Sequence, residues 1–183
     1  MKKLIFGFLF FAITTVFAQD KRTYSLAEID IIIPRSDKVT YSYEGGKVNL
    51  SERVMWGATY SYNYNLFKKF SVGALGGLTY LSNPSLTSLK VGGTFRYTFI
   101  SEYQANVFLQ VAGYIPFNSK YGADLGEFRF GVQMPIVRFD TCSMTLGVFV
   151  TYSGFDVKKP LFYDENPNSL EYRGTGLSLG LRF

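Results

Sequence analysis

Apolar and polar residues alternate with a period of two along most of this chain. From Trp56 to Leu66 every even position is apolar or aromatic, whereas the odd positions are Gly, Thr, Ser or Asn. Successive side chains of a β-strand point to opposite faces, so this alternation predicts a strand with one apolar face. The same pattern recurs in seven further segments, and together they predict strands at 27–33, 56–66, 70–80, 89–99, 103–115, 127–136, 143–152 and 176–183.

The links between the predicted strands alternate in length. Those at 67–69, 100–102 and 137–140 are short, whereas those at 34–53, 81–88, 116–123 and 154–171 are mostly longer. An even number of strands of about ten residues, with short turns at one end and long loops at the other, is typical of barrels that cross a bilayer. The sequence therefore predicts an all-β protein, a single antiparallel up-and-down transmembrane β-barrel of eight strands.

A soluble β-sandwich or lipocalin-like barrel would also show this alternation, but with its apolar residues inside. Here the polar face is rich in Gly, Ser, Thr and Asn, which suit a narrow barrel interior. The transmembrane interpretation is therefore the leading one, and the soluble barrel remains the alternative fold.

The N-terminal segment has the pattern of a secretory signal peptide. Lys2 and Lys3 precede an apolar run that ends at Phe17, and Ala18 precedes the expected cleavage site. The run is shorter than the roughly 20 residues of a membrane-spanning helix. We expect residues 1–18 to be a cleaved signal peptide and residues 19–183 to form the barrel. Loss of the two lysines lowers the formal net charge from +5 to +3.

Composition excludes several classes of function. The chain has no His, so a Ser-His-Asp triad and a His-containing metal site are excluded. Its single Cys, Cys142, allows no disulfide within the chain and lies outside the signal region, which argues against a lipid anchor. The small positive charge gives no case for nucleic-acid binding. We predict a protein that is not an enzyme, with no cofactor and no metal site; a lipid-modifying barrel enzyme is disfavoured by the missing His.

The C-terminal strand carries a family resemblance. Leu177, Leu179, Leu181 and Phe183 share one face, and small or polar residues occupy the other. A strand of this kind that ends on an aromatic residue resembles the last strand of bacterial outer-membrane β-barrels. In that family the terminal aromatic is part of the signal that the barrel-insertion machinery recognises, which implies this role for these four residues.

From residue 24 to 183 the chain resembles the small outer-membrane barrels of the OmpA/OmpX type. The resemblance implies an integral protein of the Gram-negative outer membrane with both termini in the periplasm. It also implies outer-membrane lipid, lipopolysaccharide, the insertion machinery and periplasmic chaperones as partners, with a monomer as the expected state. The family contains structural, adhesive and secretion-accessory proteins, so the fold alone does not assign a function.

Six charged residues fall on the polar, inward face of the predicted barrel. These are Glu28, Asp30, Lys90, Arg96, Glu127 and Arg129. Three acids and three bases in a narrow lumen are expected to pair, because an unpaired buried charge is unfavourable. The leading hypothesis is a salt-bridged plug in a non-enzymatic barrel of envelope structure or surface interaction. The alternative is a narrow pore or a transport or secretion accessory barrel, in which these charges form a gate or an ion path.

Two loop regions are candidates for contact with a protein partner or with lipopolysaccharide. The segment 39–50 alternates around a turn at Glu44–Lys47, and it predicts a hairpin that projects from the barrel with Tyr41 and Tyr43 at its surface. Pro34 is expected to mark a bulge or a break where the hairpin leaves the barrel wall. The last long loop supplies Lys158, Lys159, Phe162 and Tyr163. Aromatic residues that are expected to mark the outer membrane interface are Trp56, Tyr80, Tyr114, Tyr152 and Phe155.

Overall fold

The structure is a computed structural model that describes residues 22–50, 54–82, 85–100, 104–122, 126–161 and 166–183, without the side chains of 36–38. These residues form ten strands: β1 (Thr23–Tyr43), β2 (Gly46–Asn49), β3 (Met55–Phe67), β4 (Phe70–Leu81), β5 (Leu86–Ile100), β6 (Ala105–Pro116), β7 (Tyr121–Gly122), β8 (Gly126–Arg138), β9 (Ser143–Val157) and β10 (Pro167–Arg182). Within the described ranges no helix is both long and apolar enough to span a membrane.

Eight of the strands close into an antiparallel barrel. The order is β10-β1-β3-β4-β5-β6-β8-β9, and pairing of β9 with β10 completes the circle. When the pairings are followed once around the barrel from Tyr24, they return to β1 at Pro34, ten residues further along. This stagger tilts the strands against the barrel axis and leaves an interior of side-chain width. The predicted eight-stranded barrel is confirmed.

The two faces of the wall differ as the alternation predicts. Ile29, Val148 and Leu179 point outward with relative exposures of 66%, 50% and 50%, whereas Ser61 and Asn63 are completely buried inside. A soluble barrel has the opposite arrangement, with apolar side chains inside and polar ones outside. An apolar belt around a polar interior is the arrangement of a barrel that faces lipid.

Strand β1 is far longer than the predicted 27–33, because it continues beyond the barrel wall. Its pairing with β10 shifts register between Pro34, opposite Gly174, and Val39, opposite Tyr172. Beyond this bulge β1 pairs with β2 through a tight turn at Glu44 and Gly45, and the φ of +110° at Gly45 favours glycine. The hairpin is confirmed, and the predicted irregularity at Pro34 is a bulge within a continuous strand.

Two neighbouring glycines on β4 provide a test of which face of the wall points into the lumen. A Cβ on inward-facing Gly77 would meet the backbone carbonyl oxygen of Ala58, whereas the nearest atom to a Cβ on outward-facing Gly76 is the Lys90 carbonyl oxygen at 3.9 Å. Gly77→Ala should lower the free energy of unfolding by about 1–3 kcal/mol, because backbone atoms must shift. Gly76→Ala should change it by less than about 0.5 kcal/mol. Urea unfolding of the two refolded variants measures the difference, and equal midpoints would contradict the assignment of faces.

Candidate functional site

The six charged residues predicted to face the lumen all lie inside the barrel. Glu28 and Asp30 are on β1, Lys90 and Arg96 on β5, and Glu127 and Arg129 on β8. None of the six has more than 5% of its surface exposed. Every second residue of a strand faces the same side, so the two charged residues of β1 and the two of β8 are adjacent inward positions, whereas Lys90 and Arg96 on β5 are separated by the inward positions 92 and 94.

Four of these residues form a continuous chain of ion pairs. Lys90 Nζ lies 3.3 Å from Glu127 Oε2, and Glu127 Oε1 lies 2.6 Å from Arg129 Nε. Arg129 Nη1 in turn donates to Asp30 Oδ2 at 2.8 Å. Since β9 and β10 separate β8 from β1 in the barrel, the bond between Arg129 and Asp30 crosses the lumen.

The other two charged residues meet at a second crossing. Arg96 Nη2 on β5 lies 3.4 Å from Glu28 Oε2 on β1, with β3 and β4 between them in the wall. Gln133 on β8 joins both: its amide nitrogen donates to Glu28 Oε1 at 2.7 Å, and its amide oxygen accepts from Arg96 Nη1 at 2.6 Å. Asn106 Oδ1 accepts a further bond from Arg96 at 3.3 Å. Charge-assisted hydrogen bonds of this kind are stronger than neutral ones.

Two phenylalanines cover the guanidinium groups of these arginines. The Arg129 guanidinium carbon lies 4.1 Å from the centre of the Phe149 ring, and that of Arg96 lies 5.1 Å from the centre of Phe108. Gly176 on β10 leaves room for the Phe149 ring, because a Cβ there would overlap it. These cation–π contacts stabilise the two buried guanidinium groups.

Tyr114 and Phe155 lie inside the barrel, so their predicted position at the outer membrane interface is wrong. The hydroxyl of Tyr114 donates to Glu127 Oε2 at 2.5 Å, and its ring stacks on Phe155 with centroids 4.6 Å apart. Both residues follow the inward alternation of their strands, as Phe108 and Phe149 do. The alternation of inward and outward residues along each strand was therefore sufficient to assign both residues to the lumen. It also assigns Gln133 to the same face of β8 as Glu127 and Arg129. Trp56, Tyr80 and Tyr152 are exposed on the outer wall, and their place at the membrane interface stays a prediction.

An apolar cluster extends from the level of the ion pairs to the end of the barrel that carries the β1–β2 hairpin. We call it the apolar cap; its buried members are Ile32, Val39, Tyr41, Met55, Leu81, Leu86, Phe108, Tyr114, Tyr121, Phe149, Phe155, Val157, Leu170 and Tyr172. The hydroxyl of Tyr172 donates to the carbonyl oxygen of Ile32 at 3.0 Å. Burial raises the pKa of Tyr121, on the short strand β7, to about 12, so its phenol is neutral at physiological pH.

Tyr41 belongs to the apolar cap and is completely buried, which corrects its predicted position at the surface. Tyr43 is only partly buried and packs against the same cluster. The cause is the bulge: Pro34 and Val39 both face inward although they are five residues apart, so the alternation of β1 changes phase between them. Beyond the bulge the odd-numbered residues face inward.

The remaining predicted residues lie away from the lumen. Leu177, Leu179 and Leu181 face outward on β10, and the backbone of Phe183 pairs with Ser25 through bonds of 2.9 and 3.2 Å. Lys158 and Lys159 are exposed after β9. Phe162 and Tyr163 fall outside the described residues. In the part of the chain that is described, no group of three or more Cys, Asp or Glu side chains is placed to hold a metal ion.

The likeness to solved structures concerns the fold. The chain is similar to the outer membrane protein AlkL determined by solid-state NMR in lipid bilayers, with a TM-score of 0.55, 14% identity, and 91% of this chain and 92% of AlkL covered. It is also similar to the outer membrane protein OprG from Pseudomonas aeruginosa, with a TM-score of 0.52, 10% identity and coverage of 88% and 94%. No protein-family model and no curated protein sequence matches the chain. The fold of this chain is that of a small outer-membrane β-barrel.

Proposed function

We propose that this protein is an integral, non-enzymatic barrel of the Gram-negative outer membrane whose lumen is closed. Its role is structural or lies in surface interaction through the long loops. The fold shared with two outer-membrane proteins and the apolar belt around the wall support the location. With the short turns in the periplasm, as in barrels of this type, both chain termini of the barrel are periplasmic and the apolar cap faces outward.

The observation that carries the closed lumen is the pair of crossings made from β1. Arg129 on β8 and Arg96 on β5 both reach carboxylates of β1, so side chains bridge three separate parts of the wall. The apolar cap extends from the level of these crossings to the hairpin end of the barrel. An ion that enters would have to displace paired charges in one layer and pass through apolar side chains in the next, and both steps are unfavourable.

A narrow pore is the second candidate, and one observation favours it. Buried polar side chains on the wall between β3 and β6 have atoms without a hydrogen-bond partner among the described residues: Thr59, Thr79, Ser88, Thr94 and Gln110. Such groups are suited to bind water along one side of the lumen. A pore or transport accessory role would use this side as its path, with Lys90 and Arg96 on the same wall.

The test is conductance of the refolded protein in a planar lipid bilayer, after a gel shift on heating has shown that the barrel is folded. We expect no resolved single-channel current, because the crossings and the cap close the lumen. The matched variants are Lys90→Gln and Arg96→Gln, which alter the polar wall. A steady current in the wild type that changes in either variant would contradict the closed lumen and support the narrow pore.

Surface interaction is assigned to the long-loop end. The hairpin of β1 and β2 projects there, and Lys47, Val48, Lys158 and Lys159 are exposed on it and on the loop after β9. The lysines suit phosphate groups of lipopolysaccharide, and the outer edge of β2 suits an extended strand from a partner protein. Tyr41 and Tyr43 contribute indirectly, since they anchor the hairpin on the apolar cap.

A further inference from the structure

The charges outside the lumen are distributed unevenly along the sequence. The lumen holds three acids and three bases, and the long links 34–53, 81–88, 116–126 and 154–173 carry eight of each. The short links and terminal segments, 19–22, 67–69, 100–104, 137–142 and 182–183, carry six bases and three acids. In the sequence, the formal charge of +3 on residues 19–183 therefore comes from the short links and the terminal segments.

Two of these charges are adjacent lysines in the turn between β3 and β4. Lys68 and Lys69 lie between Phe67 and Phe70, and all four side chains are exposed. The Phe70 ring lies 4.8 Å from that of Tyr97 and 6.5 Å from that of Phe67, measured between centroids. Aromatic rings beside lysines are typical of the interface between hydrocarbon and headgroups.

An apolar groove begins directly beside this turn on the outer wall. It is an open groove of about 540 Å³, lined mainly by Val72, Gly93, Phe95, Leu109 and Val111, with Gly73 and Thr94 at its base. The glycine is not required by the fold: a Cβ on Gly93 would have its nearest neighbour at 3.6 Å, an ordinary contact. The missing side chain instead leaves the surface concave at a place where lipid is expected.

The pairing of β4 with β5 places the groove next to the two lysines along the direction of the strands. Phe70 pairs with Tyr97 and Val72 pairs with Phe95, while the amide of Thr98 donates to the carbonyl oxygen of Lys69 at 2.8 Å. Along β4 the groove therefore starts three residues from Lys69, about 10 Å away. A molecule with an anionic end and an apolar chain along the barrel axis would contact both.

We propose that this surface is a binding site for one anionic phospholipid, with its phosphate at Lys68 and Lys69 and an acyl chain in the groove. The inference rests on the proposed membrane location. Charge complementarity selects the ligand: a basic turn attracts an anionic headgroup, and an acyl chain matches the apolar groove that adjoins it. A bound lipid would hold this end of the barrel at the headgroup level of its leaflet.

The test is native mass spectrometry of the folded barrel released from detergent after addition of dioleoyl phosphatidylglycerol or dioleoyl phosphatidylcholine. The wild type should bind phosphatidylglycerol in excess over phosphatidylcholine. Lys68→Gln with Lys69→Gln should reduce this excess by about fivefold for each lysine removed. The matched control is Arg35→Gln with Lys120→Gln, two exposed bases at the other end, which should retain the excess. Gly93→Leu should lower binding of both lipids, because it fills the groove.

Separate outcomes overturn the lipid site and the membrane location. An excess that survives the loss of Lys68 and Lys69, or that disappears in the Arg35 and Lys120 control, overturns the site. Competition by glycerol phosphate that is as strong as competition by the whole lipid also overturns it, because the groove would then play no part. Failure of the wild type to fold into neutral phosphatidylcholine vesicles, seen as no gel shift on heating, would overturn the membrane location itself.

Discussion

Arg129→Met is expected to lower the free energy of unfolding of the barrel by about 3–5 kcal/mol. This is the usual effect of removing one partner of a buried ion pair, because the other charge is left unpaired. The substitution removes the bond of 2.8 Å to Asp30, the contact of 2.6 Å with Glu127 and the stacking on Phe149. Asp30, which is 1% exposed, is then left as a buried carboxylate without its cation. Urea unfolding in lipid vesicles, followed by fluorescence of the single tryptophan, Trp56, measures the change.

Two further variants separate the ion pair from a general effect of losing an arginine. Arg173→Met removes an arginine whose side chain is 56% exposed and pairs with Glu171, and it should change stability by less than about 1 kcal/mol. Arg129→Met combined with Asp30→Asn should recover part of the loss, because the unpaired charge is gone. If Arg129→Met unfolds at the same urea concentration as Arg173→Met, the crossing between β8 and β1 does not stabilise the barrel.

Val148→Arg should prevent stable insertion into a bilayer. Val148 faces outward near the middle of β9 and pairs with Leu177 and Val132 in the apolar belt. An arginine that faces lipid at the bilayer midplane is unfavourable by roughly 2–4 kcal/mol. The measurement is the fraction of protein that folds into vesicles, judged from the unboiled band that shifts on heating.

Its control lies three residues away on the opposite face. Thr145 is buried in the lumen, where its hydroxyl accepts a hydrogen bond from Gln133 at 3.2 Å. Thr145→Ser keeps this hydroxyl, so the variant should fold like the wild type. Equal folding of Val148→Arg and Thr145→Ser would show that the outer surface does not face lipid, and the barrel would then have to be reconsidered as a soluble protein.

The candidate site shows where prediction from sequence succeeds and where it stops. Strict alternation is local, so it places Glu127, Arg129 and Gln133 on the same face of β8 without any knowledge of the fold. It does not say which base meets which acid. The choice of Asp30 for Arg129 and of Glu28 for Arg96 depends on the stagger of the barrel, which accumulates over all eight strands.

The error at Tyr41 has the same origin. Residues 39–43 alternate regularly, and nothing local marks which of their faces turns inward. That face is decided by the register shift between Pro34 and Val39, which depends on pairing with β10, more than 130 residues away in the chain. Tyr41 therefore anchors the apolar cap, although its own segment has the pattern of a projecting hairpin.

The number of barrel strands, the two faces of the wall and the charged residues of the lumen can be read from the sequence, because they follow from a side-chain period of two that each strand carries independently. The partners of the charges, the inward position of Tyr41 and the apolar cap at one end depend on the tertiary structure. The groove beside Lys68 and Lys69 also required it, since three strands must be in register before their outer side chains form one surface. Pairing between distant strands sets all of these features.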